Sequence, residues 1–148
     1  MQFDTWLERY YFEKYILDVA IGTLEQGGVT SNVATYQFLP PIDAWGIPKY
    51  PGKTVILTPE ANIAEGLVQF IERHHDHLCE ADTWLGTWVN PQTRCCHLDI
   101  TVIYSRLEDA KREAWQRGLQ ERRNVVALYN FKHGQTVFLE QERSSSSL

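Results

Sequence analysis

The chain has 148 residues, of which 43% are hydrophobic and 22% charged, and a formal net charge of −5 from 14 basic and 19 acidic residues. This length and composition are typical of one globular domain, since domains most often contain about 100–150 residues. The acidic balance argues against a broad nucleic-acid-binding surface, because nonspecific affinity for phosphate comes mainly from clustered Lys and Arg. We therefore predict a single domain over residues 1–143, followed by a disordered serine-rich tail over 144–148.

The N-terminus and the cysteines indicate the cellular compartment. The chain is charged from Asp4 onward, which no signal peptide is, and its apolar runs fall short of the ~20 residues that a membrane-spanning helix needs. The three cysteines are an odd number, and the adjacent Cys95 and Cys96 would point to opposite faces of a strand. Free thiols favour a reducing compartment, so we expect a cytoplasmic protein without membrane contact.

The first predicted element is a helix. Thr5 and Glu8 have the spacing of a capping box, and Gly27-Gly28 provides the stop. Its apolar residues recur at helical spacing and are expected to pack against a sheet. These residues are Phe3, Trp6, Leu7, Tyr10, Tyr11, Ile16, Leu17 and Ala20. Alternation of side chains within residues 29–39 then predicts a short strand.

The middle of the chain is predicted to hold a loop, a strand and a second helix. Residues 40–53 contain four prolines and two glycines, so an ordered loop without regular structure is expected. Residues 54–57 are predicted to form a compact buried strand, after which Thr58 is predicted to cap a helix with Pro59 in its first turn. The core face of that helix comprises Ile63, Leu67, Phe70, Ile71 and Leu78.

The second half predicts strands at 84–89 and 95–104, a helix from Leu107, and a hairpin formed by 125–131 and 136–139. The inward side of this helix is predicted to carry Leu107, Ala110, Ala114 and Gly118, and the small residues among them permit close packing on a sheet. The element order favours an α+β fold, with two or three helices packed on a mostly antiparallel sheet, over a doubly wound parallel sheet.

Several segments of this chain resemble small uncharacterised proteins common in phage, plasmid and other mobile-element neighbourhoods. The shared pattern is a G-x-W-x-[ND]-x-x-T turn at 86–93, L-D-[IV] at 98–100, a charged helix, and A-[IL]-[YW]-[ND] at 127–130. The strand and helix from 57 to 70 are also similar, so that the resemblance covers about half to two-thirds of the chain. The chain departs from the pattern at Arg94, where a turn glycine is usual, and at Cys95-Cys96. The resemblance implies a mobile-element context but no activity and no functional residues.

The strand at 95–104 predicts a candidate binding site. Leu98, Ile100 and Val102 alternate onto one side, which we assign to the core, while His97 and Asp99 alternate onto the other. On the partner strand Trp84 and Trp88 would lie beside His97 and Asp99. Two indoles, an imidazole and a carboxylate on one face suit a binding surface if that face is open. The alternative is that the N-terminal helix or the proline-rich loop covers it.

Two chemical alternatives compete with this binding surface. His74 and His77 lie three residues apart on a helix and represent a weak candidate metal site, although histidines near a helix C-terminus are also favoured by the helix dipole. Cys95, His97 and Asp99 hold the groups of a nucleophilic triad, but residues two apart on one strand face are about 6–7 Å apart, which strains direct hydrogen bonding. No phosphate-binding loop, dinucleotide fingerprint or HExxH pattern is present.

The sequence therefore predicts an accessory or binding protein that holds a protein or small-molecule partner without catalysis and without a cofactor. The predicted binding residues are Trp84, Trp88, His97 and Asp99. A second copy of the chain is included among the partners, whereas nucleic acid is not expected. The alternative function is a small hydrolase that uses His and Asp, with or without a metal ion.

Overall fold

The computed structural model describes residues 1–139. The predicted tail at 144–148 lies outside the described residues. In chain order the elements are α1 (Trp6–Gln26), β1 (Gly28–Ser31), β2 (Trp45–Pro48), a 3-10 turn (Pro51–Lys53), β3 (Val55–Leu57), α2 (Ile63–Leu78), β4 (Trp84–Val89), β5 (Cys96–Tyr104), α3 (Leu107–Glu121), β6 (Ala127–Asn130) and β7 (Thr136–Phe138).

The fold belongs to the predicted α+β class. In residues 1–139 seven strands join in the order β1–β4–β5–β2–β6–β7, and β3 also pairs with β5. The strand pairs are antiparallel. Strand β5 pairs with β3 through Cys96, His97 and Leu98 and with β2 from Thr101 to Tyr104. Its nine residues therefore organise much of the sheet.

Helix α1 begins and ends as predicted, but its buried side differs from the predicted one. The Thr5 hydroxyl accepts a hydrogen bond from the Glu8 amide, and Gly27 ends the helix at a φ of 85°. The buried residues are Phe12, Tyr15, Ile16, Val19, Ala20 and Thr23. Among the residues predicted to face inward, five are exposed, namely Trp6, Leu7, Tyr10, Tyr11 and Leu17. That part of the prediction is wrong, because the helix carries apolar residues on two sides.

Three local predictions in the middle of the chain are also corrected. Residues 45–48 of the expected loop form strand β2, whose backbone pairs with β5 and β6 on its two sides. Helix α2 begins at Ile63 because the Asn62 side chain accepts from the Glu65 amide, while Thr58 begins a turn closed by the Ala61 amide. Where alternation around 34–38 predicted a strand, the chain forms a turn. The side-chain oxygen of Asn32, the first residue of this turn, accepts hydrogen bonds from two backbone amides.

The chain divides into two compact units by its internal contacts. The first unit comprises Met1–Leu39 and Val55–Leu98, and the second comprises Pro40–Thr54 and 99–139. In the first unit α1 and α2 contact each other, and α1 contacts β1 and β4. The core of the second unit packs α3 against β2, and its buried members are Trp45, Ile47, Val102, Ala110, Ala114, Val125, Leu128 and Leu139. That these units make one domain over 1–143 stays a prediction.

Within residues 1–139, no helix combines the length and the apolar character needed to cross a membrane.

Candidate functional site

Buried hydrogen bonds show which face of β1 and β4 is covered by α1. The Tyr15 hydroxyl lies 2.7 Å from the Ser31 hydroxyl, and the Thr23 hydroxyl lies 2.6 Å from that of Thr87. Burial raises the pKa of Tyr15 to about 12. The hydrogen bond between Tyr15 and Ser31 acts in the opposite direction and lowers this pKa. Ser31 pairs with Leu85 in the strand register, so Leu85 and Thr87 point toward α1. Because strand side chains alternate, Trp84 and Trp88 point away from α1.

Helix α2 covers the same side of the first unit. A Cβ atom on Gly66 would come within 2.7 Å of the Leu57 Cδ1 atom, so α2 packs closely on the side of β3 that carries Leu57. Leu57 pairs with Cys96, and Ile56 pairs with His97. Ile56 and His97 therefore belong to the side that α2 does not cover.

The side of the first unit that faces away from both helices carries Trp84, Trp88, His97 and Ile56, which we call the aromatic sheet face. The Trp88 and His97 rings meet edge to face, with centroids 5.1 Å apart and planes inclined at 62°. His97 is only 7% exposed, both indoles are partly exposed, and Ile56 is 46% exposed. The predicted grouping of Trp84, Trp88 and His97 on one face agrees with this geometry, and Ile56 is an addition that the residue pattern did not predict.

The fourth predicted residue, Asp99, belongs to the second unit and has its own surroundings there. Its Oδ1 atom accepts a hydrogen bond of 2.5 Å from the Thr54 hydroxyl, and Arg123 donates to the Thr54 carbonyl oxygen at 2.6 Å. Burial raises the pKa of Asp99 to about 6, while the Thr54 hydrogen bond and the Arg123 charge act in the opposite direction. A carboxyl group with this pKa exchanges protons near neutrality, which is unusual for an aspartate.

No signal in the sequence links Thr54 or Arg123 to Asp99. The three residues are separated by 45 and 24 positions along the chain. Thr54 ends a proline-rich stretch and Arg123 follows the end of α3, so neither stands in a recognisable motif. Their association depends on the way the second unit folds.

The alternative metal residues have other neighbours. The backbone of His74 departs from helical geometry within α2, and its ring centroid lies 4.8 Å from that of Phe70. The Nδ1 atom of His77 lies 2.8 Å from a carboxylate oxygen of Glu80. Across residues 1–139 no three His, Cys, Asp or Glu side chains form a group that could hold a metal ion. The structure thus does not bring His74 and His77 into a metal site with a third ligand.

The cysteine of the conceivable triad does not lie in strand β5. Cys95 precedes the strand, and its amide donates to the Thr93 hydroxyl in the turn. Cys79, Cys95 and Cys96 are free thiols, of which Cys96 is buried. A nucleophilic role for Cys95 therefore has no supporting geometry within the turn.

Helix α1 carries a row of exposed apolar side chains. Trp6, Tyr10, Leu17, Ile21 and Leu24 are 79%, 53%, 55%, 51% and 71% exposed. Along a helix these five residues share one side, because their spacings of four, seven, four and three are close to whole turns of 3.6 residues. We call them the α1 stripe. The sequence signal for the α1 stripe is that apolar residues occupy two sides of this helix, because packing on one sheet buries only one of them.

Comparison with known proteins finds no match: no family model, no curated protein and no solved structure is similar to this chain.

Proposed function

We propose that this chain is a non-catalytic binding protein, which holds a protein or small-molecule partner at the aromatic sheet face. The observation that carries the proposal is the exposure of Ile56 beside two partly exposed indoles, on the side that faces away from α1 and α2. Large amphipathic rings and aliphatic side chains are typical of the centres of interfaces. The resemblance of the 86–93, 98–100 and 127–130 segments supports a role as a cytoplasmic accessory protein of a mobile element.

The Trp88–His97 contact gives this surface a defined shape. The edge-to-face contact between the two rings limits the orientations that the indole can adopt. A side chain that is already ordered loses less conformational entropy when a partner binds. The net charge of −5 favours a neutral or basic partner, although salt screens this steering at physiological ionic strength.

A single substitution tests the proposal. Trp88→Ala removes the central indole and is expected to weaken partner binding at least tenfold, with a small loss of stability, since aromatic side chains at interface centres dominate affinity. The matched control is Trp115→Ala on α3, where the indole is 38% exposed in the second unit. Tagged proteins would be used to capture partners from cell extract, followed by native mass spectrometry and calorimetric titration of the purified partner.

Equal affinities for Trp88→Ala, Trp115→Ala and the unmodified protein would contradict the proposal. So would a loss of about 3–5 kcal/mol in the unfolding free energy of Trp88→Ala with unchanged binding, because that is the effect of removing a core tryptophan.

A small hydrolase is the second candidate function, and the pKa of Asp99 is the observation that favours it. A carboxyl group that titrates near 6 is suited to general acid–base catalysis at neutral pH. Such an enzyme would hydrolyse p-nitrophenyl ester or phosphate substrates with a rate that changes through pH 6. Asp99→Asn would abolish that activity. Hydrolysis that persists in Asp99→Asn would exclude this function.

A further inference from the structure

The α1 stripe is independent of the aromatic sheet face and needs its own explanation. Its five side chains extend from Trp6 to Leu24, which corresponds to about 27 Å of helix at 1.5 Å per residue. The opposite side of the same helix is buried, with Val19 at 0% and Tyr15 at 2% exposure. Helix α1 therefore presents an apolar surface along its whole length after its packing within the first unit is complete.

Together with its flanking residues, the α1 stripe approaches the size that association requires. At about 200 Å² for each large side chain, the exposed fractions of the five residues correspond to an area on the order of 600 Å². Leu7 and Tyr11, which are 43% and 52% exposed, flank the stripe and enlarge it. A standard protein interface buries about 800 Å² on each partner, whereas apolar patches of a few hundred Å² are the largest found on most monomers.

The charges of α1 disfavour a membrane as the occupant. The helix carries four acidic residues, Glu8, Glu13, Asp18 and Glu25, and two basic ones, Arg9 and Lys14. Helices that lie on membranes carry Lys and Arg beside their apolar side, since lipid surfaces are negative. The nine residues beyond the described part of the chain include one apolar residue, Leu148, and so cannot supply an apolar cover of this length.

The charges do fit a second copy of the same helix running in the opposite direction. Lys14 and Asp18 form an ion pair of 2.9 Å on the flank of the α1 stripe. The midpoint of this pair is residue 16, and the midpoint of the stripe is residue 15. An antiparallel copy centred on residue 16 places Lys14 of each helix beside Asp18 of the other. In the same alignment Trp6 lies two residues beyond Leu24 of the other helix and Tyr10 lies within one residue of Ile21, so that large side chains approach each other at both ends.

We propose that the protein forms a two-fold symmetric homodimer through antiparallel packing of the α1 stripe against the α1 stripe of a second copy. A two-fold interface uses the same surface on both subunits and must therefore be self-complementary, which the central charges and the apolar ends of α1 are. The dimer leaves the aromatic sheet face uninvolved, because that face points away from α1. Dimerisation would thus present two copies of the partner-binding surface in one assembly.

The test compares variants of exposed leucines by sedimentation equilibrium from 0.5 to 200 μM. The unmodified protein is expected to be dimeric. Leu17→Glu places two like charges near the two-fold axis and is expected to raise the dimer dissociation constant at least 100-fold. If Leu17→Glu fails to fold, Leu24→Glu provides the test. Leu24 lies near the end of the helix with a side chain that is 71% exposed, and its substitution should also raise the dimer dissociation constant. The matched control is Leu119→Glu on α3, 60% exposed, which should remain dimeric.

A charge exchange tests the antiparallel alignment. Lys14→Glu is expected to weaken the dimer about tenfold, and the double variant with Lys14→Glu and Asp18→Lys should restore it, because both the intrahelical and the intersubunit pairs are re-formed with reversed signs. Circular dichroism of each variant establishes that the helix content is unchanged.

Several outcomes would overturn the dimer. A monomer at 200 μM would do so, as would a dimer that survives Leu17→Glu and Leu24→Glu. A dimer lost in Trp88→Ala but kept in Leu17→Glu would assign association to the aromatic sheet face instead. Sedimentation of a monomeric protein with vesicles of zwitterionic and anionic lipid would show that the α1 stripe binds membranes.

Discussion

At the scale of single residues, Arg94 has a backbone conformation that its side chain does not favour. Its φ is 65°, in the left-handed region, and its amide donates to the carbonyl oxygen of Asn90 to close the turn between β4 and β5. This is the position at which the sequence departs from a pattern with glycine. The conformation is therefore required by the turn, and the arginine adopts it at a cost that glycine would avoid.

Arg94→Gly is expected to increase the free energy of unfolding by about 0.5–1 kcal/mol, since the relief of strain exceeds the added entropy of the unfolded chain. Urea denaturation measures the change. The control is Gln92→Gly in the same turn, where φ is not positive and a loss of about 0.5–1 kcal/mol is expected. A destabilised Arg94→Gly protein would show that the arginine side chain makes a compensating contact.

Asp99 makes the second residue-level prediction, which concerns pH. Its pKa is about 6 in the folded protein against 3.8 ordinarily, so the native state holds this proton more tightly than the unfolded chain does. Its contribution therefore favours folding below about pH 4 and is lost as the pH rises through 6. Asp99→Asn should remove this loss. The unfolding free energy of Asp99→Asn minus that of the unmodified protein should therefore increase by on the order of 2–3 kcal/mol from pH 4 to pH 8.

Urea denaturation of both proteins between pH 4 and pH 8 measures this difference. Glu60→Gln, at an exposed position, serves as the control for the removal of one acidic group. Parallel stability curves for Asp99→Asn and the unmodified protein would show that the Asp99 carboxyl group is not perturbed.

At the scale of elements, strand β5 determines the register of the sheet. Leu98, Ile100 and Val102 are 0%, 1% and 4% exposed, which confirms the predicted inward side. Ile100→Ala should lower the free energy of unfolding by about 2–5 kcal/mol, because it leaves a cavity in a packed core. Chemical denaturation measures this free energy. The control is Ile56→Ala, in which the removed side chain is 46% exposed. A loss below about 0.5 kcal/mol in Ile100→Ala would contradict the assigned register.

The elements with strong local signals were predictable from the sequence. Polar and apolar residues alternate along β5 from 97 to 102, and α3 buries Ala110, Ala114 and Gly118 as its spacing indicated. Gly134, at a φ of 64°, lies in the predicted turn between β6 and β7. In each case neighbouring residues along the chain are sufficient to specify the local structure.

The elements that depend on distant residues were not predictable in this way. Strand β2 has only four residues, two of them Gly46 and Pro48, and it forms because β5 and β6 supply backbone partners on both sides. The ring of Phe131 occupies the space where a Cβ atom on Gly46 would lie, at 2.6 Å, which explains the glycine. The buried side of α1 is likewise selected by Ser31 and Thr87, whose hydroxyl groups meet those of Tyr15 and Thr23.

At the scale of the whole molecule, composition and element order were sufficient for the fold class, and the candidate site was predictable only in part. Period-two alternation placed Trp84, Trp88 and His97 on one face. It did not reveal the surroundings of Asp99, because Thr54 and Arg123 approach it from remote parts of the chain. The residues of the α1 stripe show apolar spacing in the sequence. Which apolar side of α1 remains exposed depends, however, on which side packs within the first unit.

The division into two units has a consequence for how function can be mapped onto the chain. Each unit is assembled from two separate stretches, and one boundary falls between Leu98 and Asp99, inside strand β5. No terminal deletion can therefore remove one unit and leave the other whole, and a cut at that boundary interrupts a strand. Terminal deletions that reach into either unit would report the loss of folding. Point substitutions on exposed side chains, or an inserted sequence in the 90–94 turn, are the appropriate ways to assign each activity to its surface.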